Sequence, residues 1–187
     1  MKTRKMTMAA LMAALLGISA YISIPIGISP VMITLQTMIL NIIAIILTPT
    51  EAFFAILIYA LVGIAGVPVF SGGLGGVSAL LRPTGGYVLG FLIATPAMSY
   101  TKDIFAKLFG RFIKSEKIAK ITGYSVNAVL VGMVLIYVVA MIYMKLFLGK
   151  AFGAVLAPMV LPFIPMDIVK CIVAAIVSVP LKKALNR

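Results

Sequence analysis

From Met6 to Thr50 the chain carries no charged residue. A stretch of that length without charge has no polar surface to offer water. It is long enough for two crossings of a bilayer, each of which needs roughly 20 apolar residues. Pro25 and Pro30 break it in the middle. The whole chain follows suit: 187 residues, 63% hydrophobic, with mean hydropathy +1.22. Soluble domains run near 45–50% apolar. The pattern predicts an all-α membrane protein, a bundle of six transmembrane helices, forming one membrane-embedded domain over residues 1–187.

The expected spans are Thr7–Ile24, Val31–Leu47, Ala52–Val67, Pro83 to about Tyr100, Ile121–Met144 and Pro165 to about Val179. Pro25–Pro30 reads as a short turn. Lys102–Lys120 reads as a water-soluble segment, and the apolar Lys145–Ile164 connection as a cap lying over the bundle. The basic start followed by an apolar run resembles a signal peptide. The further apolar segments favour a retained first helix. Pro96 is a place for a kink in the fourth span.

Net charge is +12, from sixteen Lys and Arg against four acids. Sorted by loop, twelve of the sixteen fall on the side of both termini: Lys2, Arg4, Lys5, Lys102, Lys107, Arg111, Lys114, Lys117, Lys120, Lys182, Lys183 and Arg187. Arg82, Lys145 and Lys150 fall on the other. The positive-inside rule then places both termini in the cytoplasm. Membrane topology accounts for the basic excess without nucleic acid as a partner.

The chain has no histidine and one cysteine, Cys171. That removes the usual general base and any intramolecular disulfide. No nucleophile–base pair, paired acids or metal cluster is present, so neither an enzyme nor a cofactor or metal site is expected. Glu51 suits the first turn of its helix by charge alone.

Asp167 and Lys170 are the acid and base inside an expected span. Three residues apart, they share a helix face. They lie near its outer end, as does Arg82 in its own loop. Two readings stand side by side. One is an internal ion pair that locks helices, Asp167 with Lys170 or Arg82. The other is a polar pocket in which the acid accepts from a ligand's N–H groups and a cation pairs with its anionic end. The second span carries Thr34, Gln36, Thr37 and Asn41, of which Gln36 and Asn41 either bond neighbouring helices or line a cavity.

Gly63–Gly90 holds nine of the sixteen glycines. It contains neither a Walker A pattern nor a dinucleotide fingerprint. Its glycines let backbone approach a ligand or let the loop move. Gly86 and Gly90 form a GxxxG pair for a close helix crossing. Tyr87 stands one turn inside its span, either on the ligand or as an interfacial aromatic. Ala9/Ala13 and Ala10/Ala14 are i,i+4 pairs, read together as one small-residue stripe for packing inside the bundle or against another protein.

Four separated motifs resemble the BioY family, the biotin-specific S components of energy-coupling factor (ECF) transporters. They are Thr34-Leu-Gln-Thr37, Gly66-Val-Pro-Val-Phe-Ser-Gly-Gly73, Pro83-Thr-Gly-Gly-Tyr-Val-Leu-Gly-Phe91 and Pro162-Phe-Ile-Pro-Met-Asp-Ile-Val-Lys170. The resemblance covers most of the chain and is weakest in the cytoplasmic loop and fifth helix. It implies capture of biotin at the outer face for ATP-driven uptake, with a transmembrane T component and two ATPase subunits. It implies a substrate site drawn from Asp167, Lys170, Arg82, Tyr87, Gln36, Thr34, Gly85 and Gly86. Arg82 stands where many relatives have glycine. Ala9, Ala10, Ala13 and Ala14 resemble the motif by which S components contact the T component. The alternative from another class is a solitary secondary transporter of a small anionic vitamin or metabolite. Such a protein would show inverted repeats, and no clear repeat is visible.

Overall fold

A computed structural model describes residues 3–27, 29, 31–149 and 151–185. Lys2, Lys150 and Arg187 of the charge count, and Pro30 of the first turn, lie outside the described residues. Among the described residues, six long helical rods make the bundle. They are α1 (Thr3–Ser19), α2 (Gln36–Ile46), α3 (Pro49–Ile64), α5 (Gly85–Gly110), the pair α6–α7 and α9 (Ile164–Ala184). In the fifth rod, α6 (Glu116–Asn127) and α7 (Val134–Leu148) join through a π-helical stretch, Ala128–Met133. Short elements α4 (Val77–Leu80) and α8 (Phe152–Met159) and a 3-10 turn (Leu161–Phe163) complete the chain. Two segments, Glu116–Phe147 and Ala157–Ala184, are long and apolar enough by themselves to cross a bilayer.

Helix α5 is the centre of the packing, lying against α2, α3, α6 and α7; α9 lies against α2 and α6, and α1 against α3. The outward face of α9 is Val169, Ile172, Val173, Ile176 and Val177, all exposed. That helical spacing of bare apolar side chains suits lipid rather than water.

The second span differs from expectation at its start. Val31–Leu35 is not helical. Strand β1 (Ser23–Ile24) pairs antiparallel with β2 (Ile33–Thr34), and the Leu35 N–H donates to the Ile22 carbonyl at 3.1 Å. Backbone inside a membrane must find partners within the protein, and this small hairpin supplies them. Extended residues rise about 3.3 Å each against 1.5 Å in a helix. The two strand residues Ile33 and Thr34 therefore add length along the span to the eleven helical residues of α2.

The third helix starts three residues earlier than expected. Thr48 and Glu51 form a capping box, the Thr48 N–H donating to Glu51 Oε2 at 3.1 Å, with Pro49 in the first turn. Glu51 is 1% exposed and also meets Lys5 at 3.7 Å.

The larger correction is in the segment read as water-soluble. Helix α5 continues ten residues past Tyr100 to Gly110, and α6 begins at Glu116. Lys102 is buried. Its ammonium donates to the carbonyls of Ala44 at 2.8 Å and Leu47 at 2.5 Å, and to the Ser99 hydroxyl at 3.2 Å. These carbonyls belong to the end of α2, where helix groups lack intrahelical partners and a cation opposes the negative dipole end.

Glycines set two helix crossings. A Cβ on Gly86 would sit 2.9 Å from the Tyr143 Cβ and 3.0 Å from the Ala140 Cα, and one on Gly90 would meet the Ile136 carbonyl oxygen at 3.0 Å. The GxxxG pair thus forms the α5–α7 contact. At the α5–α6 contact a Cβ on Gly123 would lie 2.7 Å from the Ala106 Cα. Gly123→Val should therefore lower stability by about 1–3 kcal/mol through overpacking against rigid backbone. The readout is thermal unfolding in detergent with a thiol-reactive dye, for which Cys171, the single cysteine, is a buried reporter.

The alanine stripe of α1 divides. Ala9 and Ala13 are buried inside the bundle, whereas Ala10 and Ala14 are exposed beside Leu11, Leu15 and Ile18. Neighbouring residues on a helix are about 100° apart, so the two pairs serve different faces.

Candidate functional site

Asp167 follows Pro165 in the first turn of α9, where a carboxylate complements the helix dipole. Lys170 stands one turn later on the same face. Each is 6% exposed. The lysine ammonium lies 2.9 Å from Asp167 Oδ1. It also donates to the Thr34 carbonyl at 2.7 Å and to the Thr37 hydroxyl at 3.2 Å. Asp167 Oδ1 accepts from the Thr37 hydroxyl at 3.0 Å, and Oδ2 from the Tyr137 hydroxyl at 2.7 Å. The pair is thus held from three sides, by β2, α2 and α7.

The donor arithmetic is informative. An ammonium has three N–H groups, and Lys170 spends all three on protein acceptors. A carboxylate offers about four acceptor positions, and Asp167 has three protein donors. Asp167 keeps an acceptor position open while Lys170 is fully engaged.

Asp167, Lys170, Thr34 and Thr37 line a small cavity of about 40 Å³. Gln36 enters it from the start of α2; its Nε2 donates to the Tyr59 hydroxyl at 2.7 Å, and its Oε1 accepts from Thr34 at 3.4 Å. Apolar walls come from Val31, Phe70, Val88, Phe91 and Phe163. Tyr87 lines the same cavity and donates its hydroxyl to the Met159 carbonyl. That bond ties α8, in the connection expected to cap the bundle, to α5.

The glycine-rich loop builds one wall. Gly72 and Gly73 have φ of 76° and 71°, a left-handed pair that glycine adopts without strain. They allow the tight return in which the Phe70 N–H donates to the Leu74 carbonyl at 2.9 Å. Phe70 is thereby placed edge-on to Tyr59, ring centres 5.6 Å apart. Gly63 leaves room for it: a Cβ there would lie 2.2 Å from the Phe70 ring.

The sequence-expected residues therefore separate. Thr34, Gln36, Tyr87, Asp167 and Lys170 meet in one cavity. Gly85 and Gly86 do not line it and serve packing instead, a Cβ on Gly85 falling 1.9 Å from the Leu80 carbonyl oxygen. Arg82 is exposed on the turn between α4 and α5, and the ion pairs among the described residues do not include it. Asn41 lies deeper, donating to the Cys171 sulfur at 3.4 Å. Tyr137, Tyr59 and Phe70 were not singled out from sequence. Tyr137 had a signal: a phenol within an apolar span needs a partner for its hydroxyl.

This is a helical membrane bundle with a small cavity in which buried Asp167 and Lys170 stand among polar partners. Comparison gives the family. The BioY family model matches residues 1–187, and the chain belongs to that family. It is 34% identical over 185 residues to the biotin transporter BioY2 of Lactococcus lactis, covering 99% of this chain and 93% of that one. A probable biotin transporter BioY of Pyrococcus horikoshii is 36% identical over 178 residues, covering 95% and 96%. The fold matches the crystal structure of the S-component for biotin from an ECF-type ABC transporter, with TM-score 0.82, 26% identity and coverage of 97% and 92%. These relatives are transporters, and the chain is not an enzyme.

Proposed function

We propose that the chain is the integral-membrane S component that captures biotin at the outer face of the cell membrane for ATP-driven uptake. It acts as one unit over 1–187, crossing the membrane six times with both termini cytoplasmic. The observation that carries this reading is the open acceptor position on buried Asp167 beneath apolar walls, in a chain of the BioY family. A ureido group presents N–H donors to such an acceptor, and fused rings and an alkyl chain suit walls of Val31, Phe70, Phe91 and Phe163.

A cavity of about 40 Å³ holds a few waters, not a bicyclic ligand. Entry therefore requires the walls to part, and the Phe70 turn with its left-handed glycines is the wall we expect to move. Lys170 is already paired with Asp167; to take a polar end of biotin it must release Thr34 or Thr37. Arg82 meets the ligand only if its loop turns inward.

Exposed Ala10 and Ala14 present a small-residue face to a transmembrane T component that works with two ATPase subunits, while Ala9 and Ala13 are buried inside the bundle. Uptake of labelled biotin by transport-deficient cells tests this directly. The expected result is strong uptake only when the T component and ATPase subunits are co-expressed. Equal, ionophore-sensitive uptake by the chain alone would instead establish a solitary secondary transporter.

A further inference from the structure

At the opposite end of α9 from Asp167 lies a cleft of about 730 Å³, between the start of α6 and residues 179–183. Four lysines line it, Lys117, Lys120, Lys182 and Lys183, against two acids, Asp103 and Glu116. Each acid already has its own lysine. Glu116 meets Lys120 at 2.5 Å, and Asp103 meets Lys182 at 3.5 Å while accepting from the Tyr124 hydroxyl at 3.2 Å. The ion pairs among the described residues leave out Lys117 and Lys183, and both are exposed. The surplus charge of the cleft is therefore positive and sits on these two side chains.

The cleft also has an apolar edge. Val179 and Pro180 line it, and the bare α9 face of Val169, Ile172, Val173, Ile176 and Val177 runs from it along the bundle. Tyr124 is buried at the inner wall of the cleft, with Lys182 5.4 Å from its ring centre. Tyr100, Ile104 and Leu108, at every fourth position and all exposed, carry an apolar stripe along neighbouring α5, and exposed Phe112 follows just past its end. A positive notch opening onto an apolar flank matches an amphiphile with an anionic head, and basic pockets at helix ends take phospholipid headgroups.

We propose that this cleft is a binding site for an anionic phospholipid, with the phosphodiester between Lys117 and Lys183 and the acyl chains along the outer face of α9. The site rests on the residues named here; by the topology proposed above it faces the cytoplasmic leaflet. Bound lipid would bridge the α5–α6 hairpin and the end of α9.

The test is native mass spectrometry of the purified chain in detergent, titrated with dioleoyl phosphatidylglycerol or dioleoyl phosphatidylcholine. Phosphatidylglycerol should be retained at least about tenfold better than phosphatidylcholine. Lys117→Gln with Lys183→Gln should remove that preference, and Glu116→Gln should increase it. Biotin binding, measured on the same samples, should be unchanged in all variants. Equal retention of the two lipids, or an unaltered preference in the double variant, would overturn the site. Displacement of phosphatidylglycerol by millimolar inorganic phosphate would mark it as a soluble-anion site and overturn it equally. A sample that shows lipid selectivity but binds no biotin would count against the proposed function alone.

Discussion

Asp167→Asn should lose both ligand affinity and stability, and a second substitution separates the two losses. In the single variant Lys170 remains buried with its charge uncompensated. Breaking a buried pair on one side costs about 3–5 kcal/mol, so the dye-reported unfolding temperature should fall sharply. Lys170→Met should fall comparably, because it strands the carboxylate that Thr37 and Tyr137 still hold. The double variant Asp167→Asn with Lys170→Met removes both charges. Replacing a whole buried pair is often close to neutral, so much of the stability should return. Affinity should not return. A hydrogen bond to a charged acceptor contributes about 1.5–3 kcal/mol, so biotin should bind the double variant at least about tenfold more weakly. If the double variant recovers full affinity, the pair only locks α9 to β2 and α2.

Lys102→Met should cost about 3 kcal/mol of stability, whereas Lys107→Met on the same helix should stay within about 0.5 kcal/mol. The first removes a buried ammonium from the carbonyls of Ala44 and Leu47 and from Ser99, and buried acceptors left without a donor are expensive. The second changes an exposed side chain, where substitutions are usually small in effect. Comparable unfolding temperatures for the two variants would contradict the burial of Lys102. Biotin affinity should be little changed in either, because the end of α2 near Leu47 lies a full helix length from Gln36.

This pair of lysines shows what was legible in the sequence. Counting charges by loop placed Lys102 and Lys107 together. It carries no information on which side chain turns back into the bundle, because that depends on where α2 ends against α5. The six rods were legible because apolar length is a local property. The extended start of the second span was not: Val31, Ile33 and Leu35 are as apolar as a helix would need, and only pairing with Ser23–Ile24 reveals the hairpin.

The site divides in the same way. Asp167 and Lys170 were visible because charge inside an apolar run is rare and helical spacing puts them on one face. Gln36 and Thr34 were visible as polar breaks in the second span. Tyr137 and Tyr59 reach the site through helix crossings. A tyrosine in an apolar segment serves equally well as an interfacial aromatic or as a packing residue, so its position along the chain does not mark it for the site. Arg82 was chosen for its charge, yet its side chain lies on the surface. The alanine pairs were read as one face, and a 100° step between neighbours puts them on two.

The most direct test of the account is isothermal titration of the purified chain in detergent with biotin. The account predicts saturable binding of one biotin per chain with Kd at or below about 1 μM, weakened by Asp167→Asn. Heat that never saturates, or binding that Asp167→Asn leaves untouched, would contradict it.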